Sequence, residues 1–158
     1  MPPLNVTLAL IRNGNKVLLG KKKTGKICVG KLVGPGGTVE PDETLVQCLR
    51  RETFEEYHRR LEPKSIKFLG MLYCYEREVL ALIGFVYSAE FAPGQLQLEE
   101  TEEVIPGWYP IDQLPFNKMP SADICWVPLA LEGRRFCAEI RYAKLGQGPF
   151  KFNLLSFT

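Results

Sequence analysis

The glycine-rich turn and the acid-bearing segment after it, residues 34–56, constrain this chain more than any other feature of its sequence. Gly34-Pro35-Gly36-Gly37 should be neither helix nor ordinary strand, because glycine accepts positive φ and lets the backbone approach a ligand closely. Asp42 is the predicted N-cap of the helix that follows, and Glu43 in its first turn suits the helix dipole. We expect the helix to end near His58, with Pro63 as a later stop signal.

Three glutamates lie on one side of this predicted helix. Glu52 and Glu56 are four residues apart and share a face of the helix. Glu55 is three residues from Glu52, so its carboxylate could bind the same metal ion as theirs. These glutamates continue the helix face on which the apolar Leu45 lies. On an ordinary surface helix, the solvated charged residues would lie on the face opposite the apolar one. Like charges at this spacing repel by about 0.2–0.5 kcal/mol per pair. A hard cation would remove that repulsion, and carboxylate oxygens with water and phosphate oxygens are what Mg²⁺ prefers.

The spacing of these residues resembles the signature of the Nudix family, G-x5-E-x7-R-E-U-x-E-E-x-G-U, in which U is a bulky apolar residue. All six fixed positions from the first glycine to the last glutamate match. The matching residues are Gly37, Glu43, Arg51, Glu52, Glu55 and Glu56. Without this spacing, a pair of adjacent glutamates on a helix would be an ordinary charged surface.

Three later positions depart from the signature. Thr53 stands where a bulky aliphatic residue is usual, His58 replaces the glycine, and Arg59 replaces the last aliphatic. Glycine there normally ends the helix in a left-handed turn, so His58 either adopts that conformation or lets the helix continue. As the one histidine in the chain, His58 is expected at the surface rather than at a zinc site.

The resemblance implies a fold, a metal and a reaction. The fold is α/β, an α/β/α sandwich with a mixed β-sheet and the helix of the signature on one face. The cofactor is Mg²⁺, with Mn²⁺ as an alternative, and the reaction is hydrolysis of a diphosphate link. The implied metal ligands are the Gly36 carbonyl and Glu52, Glu55, Glu56 and Glu103, of which Glu103 is either a ligand or the general base. Arg51 completes the implied catalytic set by fixing the rotamers of Glu43 or of an acid on the next turn, and Gly37 and Glu43 are structural positions.

A second segment resembles the subgroup of Nudix enzymes that destroys oxidised purine nucleoside triphosphates. It comprises residues 108–116, Met119, Asp123 and residues 126–128. This resemblance implies a substrate pocket whose candidates are Lys22, Val33, Phe116, Asp123 and Trp126.

Three base-reading positions of that subgroup are changed in this chain. Val33 replaces an asparagine, Pro120 aligns with a stacking tryptophan, and Ala122 replaces the first of two adjacent aspartates. A site built to hydrogen-bond a substrate discriminates strongly because its polar groups must be satisfied. Losing most of those groups removes the expectation of strict specificity for an oxidised base.

Composition sets the class of protein and partner. A length of 158 residues fits a single domain, 1–158, with a sound core. The net charge of +2 is too small to indicate a nucleic-acid polymer or a membrane as partner. The family resemblance implies a small-molecule nucleotide as partner, and we expect a monomer or a dimer. Five cysteines without a C-x2-C pair, and no apolar stretch of about 18 residues, predict a cytoplasmic protein with reduced thiols.

The remaining chain is expected to be rich in strands. Asn13-Gly14 marks a hairpin turn, the residues from 93 to 105 read as an acidic loop, and a turn at 146–148 joins a closing hairpin. The predicted strands are 6–11, 16–21, 66–75, 79–91, 108–111, 136–143 and 149–157, and a second helix is predicted over 123–131. This order favours a mixed sheet with helices on its faces.

Two classes of function fit these observations. The first is a Mg²⁺-dependent pyrophosphohydrolase of a purine nucleoside triphosphate, oxidised or not, or of another nucleoside diphosphate derivative. The second is a catalytically weak Nudix-fold module that binds a nucleotide. All the acids of the signature are present, which favours the enzyme. The chain carries no G-x-S-x-G and no Walker A motif, so glutamates rather than a covalent nucleophile would carry the chemistry.

Overall fold

A mixed nine-stranded sheet and two α-helices form the framework of the protein in a computed structural model that describes residues 2–158. The strands are β1 (Leu4–Asn13), β2 (Lys16–Lys22), β3 (Leu32–Val33), β4 (Gly36–Thr38), β5 (Lys67–Glu76), β6 (Val79–Ala89), β7 (Val104–Pro110), β8 (Phe136–Lys144) and β9 (Gln147–Phe157). The helices are α1 (Leu45–Tyr57) and α2 (Asp123–Leu131). The main path through the sheet is β3-β2-β1-β6-β5-β8-β9, with β4 beside β1 and β7 beside β2. The pairs β1–β6 and β5–β8 are parallel and the others antiparallel, so the predicted mixed sheet is confirmed.

Strand β1 separates two apolar cores because its side chains alternate between the faces of the sheet. Ala9 and Ile11 belong to the core that includes Leu49 and Tyr57 of α1. Leu10 belongs to the other core, which contains several residues of α2. One helix therefore covers each face, and the expected α/β/α sandwich is confirmed.

The helix of the signature begins later than the sequence predicts. Thr44, not Asp42, is the N-cap: its hydroxyl accepts the Gln47 N–H at 3.1 Å, and the Gln47 side chain accepts the Thr44 N–H at 2.9 Å. Asp42 takes a left-handed conformation with φ of 64° in the turn before it. Glu43 consequently precedes the helix, where its side chain is available for Arg51. The reciprocal hydrogen bonds of a capping box outcompete a lone aspartate as N-cap.

Two segments predicted to be irregular contain strands. Residues 36–38 form β4, which pairs with Val6–Leu8 of β1, so the prediction that the glycine-rich turn contains no strand is wrong there. Strand β7 begins at Val104, inside the predicted acidic loop, because it pairs along the whole of β2. Two strand boundaries differ from the predicted ones by two residues: β6 ends at Ala89 rather than at residue 91, and β9 begins at Gln147 rather than at residue 149.

Among residues 2–158, no helix is both long enough and apolar enough to cross a membrane.

Candidate active site

Arg51 joins the segment before α1 to the acids on it. Its Nε and Nη2 donate to the two carboxylate oxygens of Glu43 at 2.6 and 3.0 Å. Nη1 donates to Glu52 at 2.9 Å and to Glu55 at 3.3 Å, and Nη2 also reaches the Thr38 carbonyl at 3.1 Å. The pKa of Glu43 falls to about 2, mainly through its hydrogen bonds with Arg51. The two pairings that the sequence left open for Arg51 therefore coexist in the structure.

The glycine-rich turn lies directly against the glutamates. The Gly36 N–H donates to Glu56 Oε1 at 2.9 Å, so that carboxylate is held against β4. A Cβ added at Gly37 would lie 2.3 Å from the Cδ of Glu52, and one added at Gly36 would lie 1.9 Å from the Thr7 carbonyl oxygen. At Gly36 the neighbouring atoms belong to the backbone of β1, so only glycine fits there, whereas a side chain at Gly37 would force the Glu52 carboxylate to move.

Burial raises the pKa of two of these acids. Glu56 is only 6% exposed, and burial raises its pKa to about 8 despite the opposing hydrogen bond from Gly36. Burial also raises the pKa of Glu52, with the charges of Glu55 and Glu103 adding to the effect while Arg51 opposes it. Desolvation and like charges both disfavour a bare carboxylate pair here.

Glu103 comes to the same place from the loop before β7. Its charge raises the pKa of both Glu52 and Glu56. Thr101 fixes this loop to the end of α1: its hydroxyl donates to the Glu56 carbonyl at 2.6 Å and accepts the Glu103 N–H at 3.2 Å. The neighbouring Glu100 is instead paired with Lys23.

The donor set fits a hard divalent cation. Glu52, Glu56 and Glu103 line one end of a single cavity with Gly36, and all of their side-chain donors are oxygens. A cation there would offset the burial and mutual repulsion that raise the pKa of Glu52 and Glu56. Among residues 2–158, no group of three or more acidic, histidine or cysteine side chains is arranged so that it could hold a metal ion by itself. Mg²⁺ sites commonly rely on one or two carboxylates together with water and substrate phosphates, so an open arrangement suits this ion.

The cavity has a volume of about 360 Å³. Its lining runs from these acids to apolar core residues, among them residues of α2. Four of the five pocket residues inferred from the sequence line it: Lys22, Val33, Asp123 and Trp126. Phe116 does not; it packs at the edge of the core in a short 3₁₀ turn. Glu55 also lies outside the cavity, on the exposed side of α1 beside Arg51.

Asp123 is the acidic group on the side of the cavity that residues of α2 line, which we call its inner end. It is 8% exposed, and its Oδ1 accepts the indole N–H of Trp126 at 3.0 Å. Burial raises the pKa of Asp123 to about 7, although the hydrogen bond from Trp126 opposes this shift. A carboxyl group that titrates near neutrality can both donate and accept hydrogen bonds to a bound ring.

Several lining residues escaped the sequence reasoning. The cavity wall also includes Cys28, Cys74 and Tyr142, which come from a loop and from β5 and β8. Lys26 joins Lys22 at the entrance, and the Lys22 ammonium group donates to the Ile27 carbonyl at 2.8 Å. The run Lys21-Lys22-Lys23, followed by Lys26, is the one feature of the sequence that indicates these basic lining residues. Nothing in the sequence indicated the thiols, which come together only in the folded chain.

The departures from the signature are accommodated at the end of α1. His58 takes the left-handed conformation, with φ of 55°, and its N–H bonds to the Phe54 carbonyl at 2.8 Å. Thr53 is fully buried and its hydroxyl donates to the Leu49 carbonyl at 2.7 Å, so the polar atom is satisfied within the helix. Neither change displaces Glu52 or Glu56 from the cavity.

Comparison with known proteins agrees with this geometry. The NUDIX domain model matches residues 1–130. The chain is 33% identical over 138 residues to an oxidized purine nucleoside triphosphate hydrolase of Danio rerio, spanning 87% of this chain and 85% of the relative. It is 30% identical over 115 residues to an NAD-capped RNA hydrolase NudC of Chromobacterium violaceum, spanning 72% of this chain and 40% of the relative.

A mutator MutT protein from Bacillus halodurans shares the fold, with a TM-score of 0.68 at 19% identity over 98% of this chain and 96% of the other. A NUDIX hydrolase from Nitrosomonas europaea gives a TM-score of 0.62 at 25% identity, over 75% and 63% of the two chains. The family model covers most of the sequence and the fold agrees with it. The chain belongs to the Nudix hydrolase family.

Proposed function

We propose that this protein is a metal-dependent pyrophosphohydrolase that cleaves a purine nucleoside triphosphate, oxidised or not, to the monophosphate and pyrophosphate. The observation that carries the proposal is the position of Glu52 and Glu56. They lie against the glycine-rich turn at one end of a cavity that holds lysines at its entrance and Asp123 at its inner end. A cavity of about 360 Å³ is within the usual range for a small-molecule site.

In this proposal the acids and the Gly36 carbonyl hold Mg²⁺, or Mn²⁺ as the alternative. When bound, the ion would neutralise phosphate oxygens and lower the pKa of a water. Glu56 keeps its carboxylate fixed through the Gly36 N–H, and Arg51 orients Glu52. Glu103 serves as a further ligand or as the base that takes the proton of the attacking water. Glu55, which lies outside the cavity beside Arg51, would be a further ligand.

The other end of the substrate would be held by the lysines and by Asp123. The ammonium groups of Lys22 and Lys26, at the entrance, would face the phosphate chain. The purine would enter the apolar part of the cavity, where the Asp123 carboxyl can hydrogen-bond to its edge. Trp126 fixes that carboxyl through its indole N–H, and Val33 contributes an apolar contact.

A second candidate is hydrolysis of another nucleoside diphosphate derivative. Relatives of this chain include proteins named NAD-capped RNA hydrolase, and the base-reading positions at Val33 and Ala122 lack polar side chains. A panel of ordinary and oxidised nucleoside triphosphates, nucleotide sugars and dinucleotides, assayed with Mg²⁺, separates the candidates by their products. Release of pyrophosphate from a triphosphate favours the first, and release of two mononucleotides from a dinucleotide favours the second.

The decisive variant is Glu56→Gln, which retains the shape of the side chain and removes its charge. Turnover should fall by about 100-fold or more, as expected for loss of one positioned electrostatic group. Purified wild-type and variant proteins are compared at saturating substrate across a Mg²⁺ titration. Activity within a few-fold of wild type with an unchanged Mg²⁺ requirement would refute the assignment, and absence of hydrolysis of every compound by the wild type would favour a binding module.

The same proposal treats residues 1–158 as one catalytic domain that works as a monomer or dimer in the cytoplasm. The odd number of cysteines and their lack of a C-x2-C pair are the sequence features that favour this compartment.

A further inference from the structure

A second groove shares no lining residue with the catalytic cavity and lies at the end of β2, on the sheet face that also carries the core residues Val17 and Leu19. Its volume is about 510 Å³. Lys21 of β2 is paired in register with both Leu32 of β3 and Ile105 of β7, so these side chains lie on one face of the sheet. The 3₁₀ turn Phe116–Lys118 forms the opposite wall.

The groove carries positive charge only. Lys21, Lys31 and Lys118 line it, and none of its lining residues is an aspartate or glutamate. None of the three lysines takes part in an ion pair among residues 2–158, whereas Lys23 close by is paired with Glu100. Three ammonium groups without a carboxylate partner favour an anionic ligand, and phosphate is a ligand that lysine commonly binds.

An aromatic ring lies beside these charges. Tyr109 lines the groove and is only partly buried. A Cβ added at Gly107 would lie 3.0 Å from Tyr109 Cε2, so the absence of a side chain at Gly107 leaves room for the ring. The exposed Asn117 adds an amide that can both donate and accept. An aromatic surface stacks on nucleobases without regard to their identity, while lysines contact the phosphates.

The loop between β2 and β3 separates this groove from the catalytic cavity. Residues 24–28 of the loop line the cavity and residues 29–31 line the groove. The Gly30 N–H donates to the Lys22 carbonyl at 2.8 Å, and the Lys22 N–H donates to the Lys31 carbonyl at 3.1 Å, so the loop is closed at its base. A ligand in the groove would therefore contact the same loop as the substrate, from the other side.

We propose that the groove formed by Lys21, Lys31, Lys118 and Tyr109 binds a nucleotide at a site separate from the catalytic cavity. The phosphates contact the lysines and the base stacks on Tyr109. This inference does not depend on the proposed hydrolysis, because it concerns a different surface and needs no metal ion.

The test is a titration of the full chain with ATP in EDTA, followed by the backbone amide resonances. Without a divalent ion the catalytic acids repel a polyphosphate, and hydrolysis through the proposed mechanism does not occur. We expect the resonances of Gly30, Lys31 and Lys118 to shift, and inorganic tripolyphosphate to bind at least about fivefold more weakly than ATP, since it lacks a base to stack.

Variants identify the groups responsible. The double variant Lys31→Gln/Lys118→Gln should weaken ATP binding about tenfold or more, and Tyr109→Leu should bring ATP down to the affinity of tripolyphosphate. The control Lys144→Gln/Lys151→Gln removes the same amount of charge from the β8–β9 hairpin. It should leave the affinities for ATP and for tripolyphosphate unchanged. Thermal unfolding checks that each variant is folded. Unchanged ATP affinity in the lysine variant, shifts confined to Val33 and Asp123, or equal wild-type affinity for ATP and tripolyphosphate would each overturn the proposal.

Discussion

At the scale of single residues, Glu56 is both buried and expected to carry a negative charge for metal binding, and these two properties conflict when no metal is bound. Its carboxylate is buried and accepts the Gly36 N–H, and burial raises its pKa to about 8. A charged group in that position is unfavourable for folding, so it is retained at a cost in stability. We expect a bound cation to stabilise the ionised carboxylate of Glu56 and so to offset this cost.

This conflict predicts how stability depends on pH. Because the folded pKa of Glu56 exceeds its unfolded value, the folded state retains a proton that the unfolded state releases between about pH 4.5 and 8. The free energy of unfolding of the metal-free protein should therefore fall across this window. Glu56→Gln should be more stable than wild type by roughly 1–3 kcal/mol at pH 8.5 in EDTA, and the difference should vanish toward pH 4.5.

Denaturant unfolding in EDTA at several pH values measures this difference. The matched control is Glu55→Gln on the same helix, where the carboxylate is exposed and little change is expected. A destabilised Glu56→Gln at pH 8.5 would show that the charged carboxylate is already well compensated in the metal-free protein.

Asp123 illustrates a residue whose role is separable from the metal. It lies at the inner end of the cavity and is bonded to Trp126 rather than to the acids of α1. Asp123→Asn should change the order in which bases are preferred and leave the Mg²⁺ concentration dependence as in wild type. Competition assays with pairs of nucleoside triphosphates measure that order. An altered Mg²⁺ dependence with the same base order would contradict the placement.

At the scale of elements, the ion pair between Arg51 and Glu43 fixes the turn before α1 to the helix. A planar guanidinium makes both contacts at once, at 2.6 and 3.0 Å, and lysine cannot reproduce this geometry. Arg51→Lys should lower the free energy of unfolding by about 1–3 kcal/mol, as for loss of hydrogen bonds between charged groups. It should also lower turnover, since Glu52 loses a partner.

Urea denaturation of Arg51→Lys checks the stability, with Arg50→Lys as the control. Arg50 is the exposed neighbour on α1 and takes part in no ion pair among residues 2–158. Equal stability of the two variants would mean that the ion pair contributes nothing beyond a single positive charge.

At the scale of the whole molecule, specificity for the base depends on how many polar groups surround the inner cavity. Val33 lines it without a hydrogen-bonding side chain, Ala122 is buried without a carboxyl group, and Asp123 remains. Each missing polar contact to a buried base removes about 1 kcal/mol of discrimination or more. The ratio of kcat/KM for oxidised to ordinary guanine triphosphate should therefore stay below about a hundredfold.

Steady-state kinetics with both triphosphates under the same Mg²⁺ concentration gives this ratio. A ratio well above a hundredfold would mean that other cavity residues read the base, and the unanticipated Cys28, Cys74 and Tyr142 are the groups to replace next.

The sequence by itself determined the family, the layered architecture and the acids of α1, since each depends on local spacing. The intervals between Gly37, Glu43, Arg51 and Glu56 are fixed by the pitch of one helix and the turn before it. The Asn13-Gly14 turn signal between two short strand-like segments likewise marked the hairpin of β1 and β2. Local geometry of this kind can be predicted from the spacing of residues in the sequence.

Only the tertiary structure decided where strands pair and which side chains share a cavity. The hydrogen-bonding partners of residues 36–38 and of Val104 lie in β1 and β2, so no local pattern marked them as strand. The same holds for Phe116, which packs outside the cavity, and for Cys74, which β5 brings into it. Distant strands create the inner cavity and the basic groove, because register and burial are properties of the assembled sheet rather than of any segment.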